Sequence, residues 1–221
     1  MSDIQTKQHM RIFCAVDLPE DVRERVAAHI SRLREAIAAD ASPLKVGWER
    51  PEKLHLTLKF LGDVEAARIE ALTRAATRAA AEMGRFALTL EEAGSFPASG
   101  NARVIWLGLR DGTNQLAALH ARLEEECARE NFPREARPFH PHITIARIRV
   151  PNAAARRLAQ LHRESGFAPA SFDVEEFIVM RSQLGTGGSR YTPLSRHELK
   201  AEAGGEGGEV SSRRFWFSTD R

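Results

Sequence analysis

The spacing of apolar residues changes period several times along the chain, and each change marks an element. Arg11 to Leu18 (RIFCAVDL) is a β-branched, apolar run that predicts a strand, closed by Pro19. Between Pro19 and Asp40, Val22, Val26, Ile30, Leu33 and Ile37 recur at helical spacing and form one stripe of an amphipathic helix. Val46 to Trp48 reads as a short strand. Leu54 to Leu61 (LHLTLKFL) alternates as a half-buried strand ended by Gly62. Val64 to Met83 carries Ile69, Leu72, Ala76 and Ala80 on one face, which predicts a second helix. Phe86 to Ala93 and Val104 to Leu109 are then two strands joined through Pro97, Ser99, Gly100 and Asn101.

The pattern then recurs. Leu116, Leu119, Leu123 and Cys127 mark a helix, and His142 to Ile148 (HITIARI) alternates as a strand. A short helix begins near Asn152 and runs through Arg156 to Glu164, followed by strands at Phe172 to Met180 and Arg190 to Leu194 around the loop Gly185 to Ser189. From His55 to Phe86 is 31 residues and from His142 to Phe172 is 30. From His55 to Trp106 is 51, and from His142 to Tyr191 is 49. The intervals predict a duplicated α+β unit, with 221 residues divided into two similar lobes, a leader and a tail. Residues 1–10 are polar and aperiodic, a flexible leader. Residues 11–200 are expected to form a single domain of two interleaved lobes. Residues 201–221 read as a flexible tail rich in Gly204, Gly205, Gly207 and Gly208 that ends in an aromatic and basic stretch, Arg213 to Phe217.

Composition narrows the class. With 43% hydrophobic and 28% charged residues, the chain is neither fibrous nor disordered in type. No apolar run approaches membrane-spanning length and no signal-peptide core opens the chain, which points to a cytoplasmic protein and away from a membrane partner. Two cysteines, Cys14 and Cys127, lie in separate apolar segments and read as reduced, buried thiols, so neither a disulfide framework nor a cysteine zinc site is expected. A net charge of +2 is too mild to announce a long nucleic-acid partner, although 27 of the 32 basic residues are arginine, a residue suited to binding phosphate.

The informative chemistry lies in two tetrapeptides, His55-Leu56-Thr57-Leu58 and His142-Ile143-Thr144-Ile145. Chance supplies roughly 0.4 His-x-Thr matches in a chain of this composition, so their context carries the signal. Both lie in alternating strands and both put apolar residues at the second and fourth positions. In a strand, residues i and i+2 share a face, so His55 points with Thr57 and His142 with Thr144. If the halves pack about a pseudo-two-fold axis, two imidazoles and two hydroxyls meet in one cleft. Two imidazoles suit in-line displacement at phosphorus, one taking the proton of the attacking water and the other protonating the leaving alkoxide. Hydroxyls at the flanks can donate to the non-bridging oxygens. Neither strand places a third His, Asp or Glu at ligand spacing, so a metal and other cofactors are not expected.

These motifs resemble those of the 2H phosphoesterases, and most closely the RNA 2′,3′-cyclic phosphodiesterases, also called 2′-5′ RNA ligase-like proteins. The resemblance runs from Arg11 to about Leu199 through RIFCAVDLP, HLTLKFLG, PHITIAR and SQLGTGGSRYTPL. It implies a bilobal α+β fold of two antiparallel sheets with outer helices around a central cleft. It also implies opening of a 2′,3′-cyclic phosphate at an RNA 3′ end to a 2′-phosphomonoester, with His55 as proton donor and His142 as base. The substrate would be an RNA 3′ end or a nucleotide bearing the cyclic phosphate, and a monomer is expected. The same site also suits 2′-5′ ligation or a small cyclic nucleotide, and a different class of protein would hold the phosphate without turning it over.

The resemblance further implies that Phe60 stacks on the terminal base and that Arg147 clamps the phosphate. Each stands five residues after its histidine, an odd offset that puts it on the opposite face of a regular strand unless a bulge intervenes. His140 lines or flanks the cleft, while His9, His29, His120, His162 and His197 are expected at the surface or on helix faces. Gly185, Gly187 and Gly188 match no nucleotide-binding fingerprint and read as a turn.

Overall fold

The computed structural model describes residues 8–38, 44–186 and 188–201. In chain order its elements are β1 (His9–Asp17), α1 (Glu20–Ala38), β2 (Val46–Trp48), β3 (His55–Glu65), α2 (Ile69–Ala81), β4 (Phe86–Phe96), β5 (Val104–Asp111), α3 (Thr113–Arg129), β6 (Ile143–Ile148), α4 (Ala153–Ser165), β7 (Ala170–Val174), β8 (Glu176–Gly185) and β9 (Gly188–Glu198). The strands form two antiparallel sheets, ordered β3-β1-β8-β9 and β2-β6-β5-β4-β7. This is the α+β, two-sheet class that the sequence predicts.

The duplication appears as two strand-helix-strand-helix-strand units, β1-α1-β3-α2-β4 and β5-α3-β6-α4-β8. In each, the first strand pairs with the strand that follows a His-x-Thr start, β1 with β3 and β5 with β6. The third strand crosses to the other sheet and pairs with the first strand of the other unit, β4 with β5 and β8 with β1. Each sheet therefore depends on both units.

Helices cover the outer faces. The face of α2 formed by Leu72, Ala75, Ala76, Ala79 and Ala80 is small enough to let α3 approach closely, and Arg78 on α2 bonds Glu126 and Glu130 across that seam. The predicted stripe of α1 is buried, joined by His29, and packs with α4, whose first turn is capped by the Asn152 side chain accepting from the Ala155 amide. Between helices and sheets runs one continuous apolar core that takes Ile12, Cys14 and Val16 from β1. The opposite face of β1 holds a separate small cluster, Phe13 and Ala15 with Ile178, Met180 and the edge of Tyr191.

Several expectations are corrected. β1 begins at His9, so His9 and Met10 pair with Glu65 and Val64 instead of belonging to a leader. The strand predicted over Phe172 to Met180 is two strands: it breaks at Glu175, β7 staying in the second sheet and β8 entering the first. Gly62 lies inside β3, where its positive φ of 71° permits the chain to bulge and continue to Glu65, and α2 starts only at Ile69. His29 and His162 lie on faces of α1 and α4, but on buried ones, and His197 is neither at the surface nor on a helix but buried in β9. The cysteines are free and buried as expected. Residues 1–7, 39–43 and 202–221, which include most of the predicted tail, and Gly187 lie outside the described residues. Among the described residues, no helix is long and apolar enough to cross a membrane.

Candidate active site

Two matching irregularities build the site. In β3, Thr57 lies opposite Ala15 and Lys59 opposite Cys14, so Leu58 is an extra residue in the ladder. In β6, Thr144 lies opposite Trp106 and Ala146 opposite Ile105, so Ile145 is extra in the same way. A one-residue bulge inverts the facing of everything beyond it. Burial shows the same motif twice: half-buried threonine, two consecutive buried residues, then an exposed one, at Thr57-Leu58-Lys59-Phe60 and at Thr144-Ile145-Ala146-Arg147. Phe60 thus stands opposite Phe13 on the face of Thr57, and Arg147 returns to the face of Thr144, its Nη2 lying 3.4 Å from the threonine Oγ1. Arg11 lies over the Phe60 ring at 5.0 Å.

The bulge has a consequence the alternation pattern hides. Regular alternation would place Lys59 beside His55 and Thr57, yet it is 1% exposed, with its ammonium paired to Glu124 and donating to the Pro133 carbonyl at 2.9 Å.

Both imidazoles are fixed alike. His55 Nδ1 lies 2.6 Å from the Lys53 carbonyl, and His142 Nδ1 lies 2.7 Å from the His140 carbonyl. A carbonyl only accepts, so each Nδ1 carries the proton and each Nε2 is left as the nitrogen free to exchange one. Aromatic pairs grip the rings: Phe13 and Tyr191 flank His55, with centroids at 4.9 and 5.3 Å, and Phe96 and Trp106 flank His142 at 5.2 and 6.2 Å. The Trp106 ring needs Gly94 beneath it, because a β-carbon there would come within 2.2 Å of the indole. Counting intervals pairs Trp106 with His55 and Tyr191 with His142; in space they are exchanged, as the crossing of β4 and β8 requires.

Burial is the main force on both titrations and pushes both histidines below the ordinary imidazole value. For His55, the Lys53 hydrogen bond and the Asp17 carboxylate oppose it, while Arg147 and His142 add to it. For His142, the His140 hydrogen bond opposes it, while His140 and Arg147 add to it. Arg147 acts on both histidines and His142 on His55, and the strands that carry the two motifs approach each other, β3 against β6.

A sequence profile described as the 2′-5′ RNA ligase superfamily matches residues 18–186, a span that contains both motifs. The chain belongs to this superfamily. Within it, the chain is 35% identical over 199 residues to an RNA 2′,3′-cyclic phosphodiesterase of Escherichia coli K12, covering 86% of this chain and 96% of that protein. It is 30% identical over 191 residues to the protein of the same name from Methanothermobacter thermautotrophicus, covering 86% and 99%. Among solved structures, E. coli LigT complexed with 3′-AMP aligns with a TM-score of 0.66 at 33% identity, covering 87% of this chain and 99% of that one. TT0787 of Thermus thermophilus aligns at 0.65 and 29% identity, covering 87% and 100%.

Both His-x-Thr motifs thus fall on the two bulged strands, where Thr57 shares a face with Phe60 and Thr144 with Arg147. The aromatic pairs were not singled out. Their signal was the alternation of Phe13 against the apolar run of β1, and of Trp106 against two glycines. Outside the cleft, His120, Glu124 and Glu135 bring possible metal-binding atoms within 4.8 Å of one another, but the Glu124 carboxylate already holds the Lys59 ammonium, so a metal ion would meet a fixed positive charge.

Proposed function

We propose that this protein is a metal-independent RNA 2′,3′-cyclic phosphodiesterase whose acid and base are His55 and His142. The observation that carries the reading is the pair of imidazoles, each with Nδ1 committed to a carbonyl two residues upstream and Nε2 left for proton transfer. The names of the relatives support it, as does a related protein solved with 3′-AMP.

In the proposed reaction, a water oxygen attacks phosphorus in line with the bond to the 3′ oxygen. His142 Nε2 takes the water proton, the new P–O bond forms, the P–O3′ bond breaks, and His55 Nε2 delivers its proton to the departing 3′ oxygen. The product is a 2′-phosphomonoester and a free 3′ hydroxyl. Thr57 and Thr144 donate hydrogen bonds to the non-bridging oxygens, and the Arg147 fork neutralises the charge that gathers there. Phe60 gives the terminal base a face to stack on. A bound phosphate also raises both histidines from their depressed values, supplying the protonated acid that the free cleft disfavours. Metal independence is supported by the Arg147 guanidinium, whose charge acts on both imidazoles and would repel a metal cation between them. The two free buried thiols suit the reducing cytoplasm.

The deciding experiment is a mass-resolved assay on an oligonucleotide ending in a 2′,3′-cyclic phosphate. Wild type is expected to leave the phosphate on the 2′ oxygen and to be indifferent to EDTA. His55→Ala and His142→Ala should each lose roughly 10²–10⁴-fold in rate. Loss of activity on chelation, a phosphate on the 3′ oxygen, or binding without turnover by the wild type would overturn the reading.

A further inference from the structure

The cleft does not end at the histidines. It opens into a cavity of about 620 Å³ walled by both sheets, with β2 and its flanks and the end of β6 on one side and β9 with Lys53 on the other. Two residues belong to both spaces: Arg147, beside Thr144, and Tyr191, whose ring edge meets His55.

The charge of this wall is lopsided. Lys45, Arg50, Lys53, Arg147 and Arg149 line it against a single carboxylate, Glu49, which lies 3.4 Å from Arg147. Lys45, Arg50, Lys53 and Arg149 pair with no carboxylate among the described residues. A chain of net charge +2 has therefore concentrated unneutralised cations at one mouth of its cleft. The contrast with another cavity, lined by Asp17, Asp173, Glu175, Glu176 and Arg196, shows that this is a local property. The lining also leaves space at backbone level: Gly47 stands opposite Arg147 in the β2–β6 ladder, and Gly188 faces the Lys53 ammonium.

Position identifies what the cations meet. Phe60 is not among the residues that line the cavity, whereas Arg147 and Tyr191 belong to both spaces. A terminal nucleotide stacked on Phe60 leaves the cavity empty. The next anion along a single RNA strand is the phosphodiester 5′ of the terminal nucleoside, within reach of the same Arg147.

We infer that this cavity is a second subsite, holding the phosphodiester and nucleotide that precede the cyclic end, and that it makes the enzyme selective for single-stranded RNA ends over cyclic mononucleotides. The inference rests on the cyclic phosphate lying between His55 and His142. The lining offers cationic contacts to backbone, so the subsite favours chain length without reading sequence.

The test compares kcat/KM for a cyclic-phosphate-ended trinucleotide with that for a cyclic mononucleotide. It is paired with the affinity of the corresponding 3′-phosphate-ended ligands, measured by fluorescence anisotropy. The trinucleotide should be favoured roughly tenfold or more, the worth of one charge-assisted contact. Engaging the one further phosphodiester adds about −0.7 to the log–log salt slope, a loss of about 2.6-fold between 50 and 200 mM salt that the mononucleotide does not share. Lys45→Glu combined with Arg149→Glu should collapse the preference toward unity, while the same charge change at Arg156 and Arg163 on α4 leaves the preference intact. Equal kcat/KM and equal salt slopes for the two substrates would overturn the subsite, as would a double variant that weakens both substrates by one factor. A preference for a blunt duplex end would overturn the single-strand assignment. If neither substrate is turned over but the trinucleotide still binds more tightly through these cations, the catalytic reading fails and the subsite stands.

Discussion

Arg147 and Thr144 stand three residues apart in β6 yet share a face, with the guanidinium Nη2 3.4 Å from the hydroxyl, because Ile145 is an extra residue in the ladder. The same device in β3 turns Phe60 toward Thr57. The bulges bring two odd offsets onto the threonine faces, and the proposed roles predict distinct losses at the two positions. Arg147→Met should lower kcat roughly 10²–10³-fold, the cost of removing one donor from developing charge. Arg147→Lys should recover only part of this, since it keeps the charge and loses the fork. Phe60→Ala should act mainly on KM, because stacking on the base is similar in the ground and transition states. Steady-state kinetics on one oligonucleotide separates the two, and a pure KM effect for Arg147→Met would remove it from the reaction centre.

The depressed histidines set the pH dependence. Both lie below the ordinary imidazole value in the free protein; Arg147 adds to the depression of both, and His142 to that of His55. The productive state carries one proton on the pair, so kcat/KM should be bell-shaped with its maximum on the acid side of about 6.5. The profile of kcat should lie higher in pH, since the bound phosphate raises both groups. Arg147→Met removes a cation that lowers both histidines, so the residual activity should peak at higher pH than in the wild type. An unchanged optimum in that variant would separate Arg147 from the titrating pair.

The inward turn of Lys59 makes its partner vulnerable. Glu124 holds the Lys59 ammonium and the Glu135 amide in a nearly dry site. Lys59→Met strands a buried carboxylate and should cost about 3–5 kcal/mol, whereas adding Glu124→Leu should restore much of the loss. Urea unfolding of the single and double variants checks this, and a Lys59→Met protein as stable as the double variant would show the pair to be dispensable.

What the sequence made legible and what it hid follow from the range of the interactions concerned. The helical stripe of α1 and the two His-x-Thr strands are local periodicities, and they appear where predicted. The break at Glu175 was hidden because the Glu175-Glu176 pair interrupts the alternation of Phe172 to Val174 without saying whether the strand runs on or changes sheet. Only the competition between β4 and β1 for partners decides that. Lys59 was hidden because alternation assigns it outward, and a bulge leaves no compositional mark. The exchange of Trp106 and Tyr191 between the histidines was hidden because interval counting assumes self-contained halves. His29 and His162 looked like ordinary helix-face residues, since neither sequence neighbourhood reveals that the two rings meet across 133 positions.

That meeting gives the protein an acid-sensitive seam. His162 Nε2 lies 2.9 Å from the Trp106 carbonyl and must donate to it, so His162 Nδ1 accepts from His29 Nε2 at 3.0 Å. His29 Nδ1 is then the unprotonated end of the chain, buried with no hydrogen-bond partner among the described residues. Protonating it puts a charge in a dry interface, and burial, His162 and Arg32 together push His29 down to about 4. The unfolded chain takes up that proton near pH 6.5, so this contribution to stability is complete above pH 6.5. It is lost progressively as pH falls toward 4, amounting to about 3 kcal/mol for His29. His162, His197, His55 and His142 are depressed in the same direction and add to the slope. His29→Phe should lower stability at pH 7.5, because His162 Nδ1 loses its donor, and should flatten the fall between pH 6.5 and 4. Urea midpoints across that window provide the measurement, and an undiminished slope in His29→Phe would assign the acid sensitivity to the cleft histidines instead of this seam.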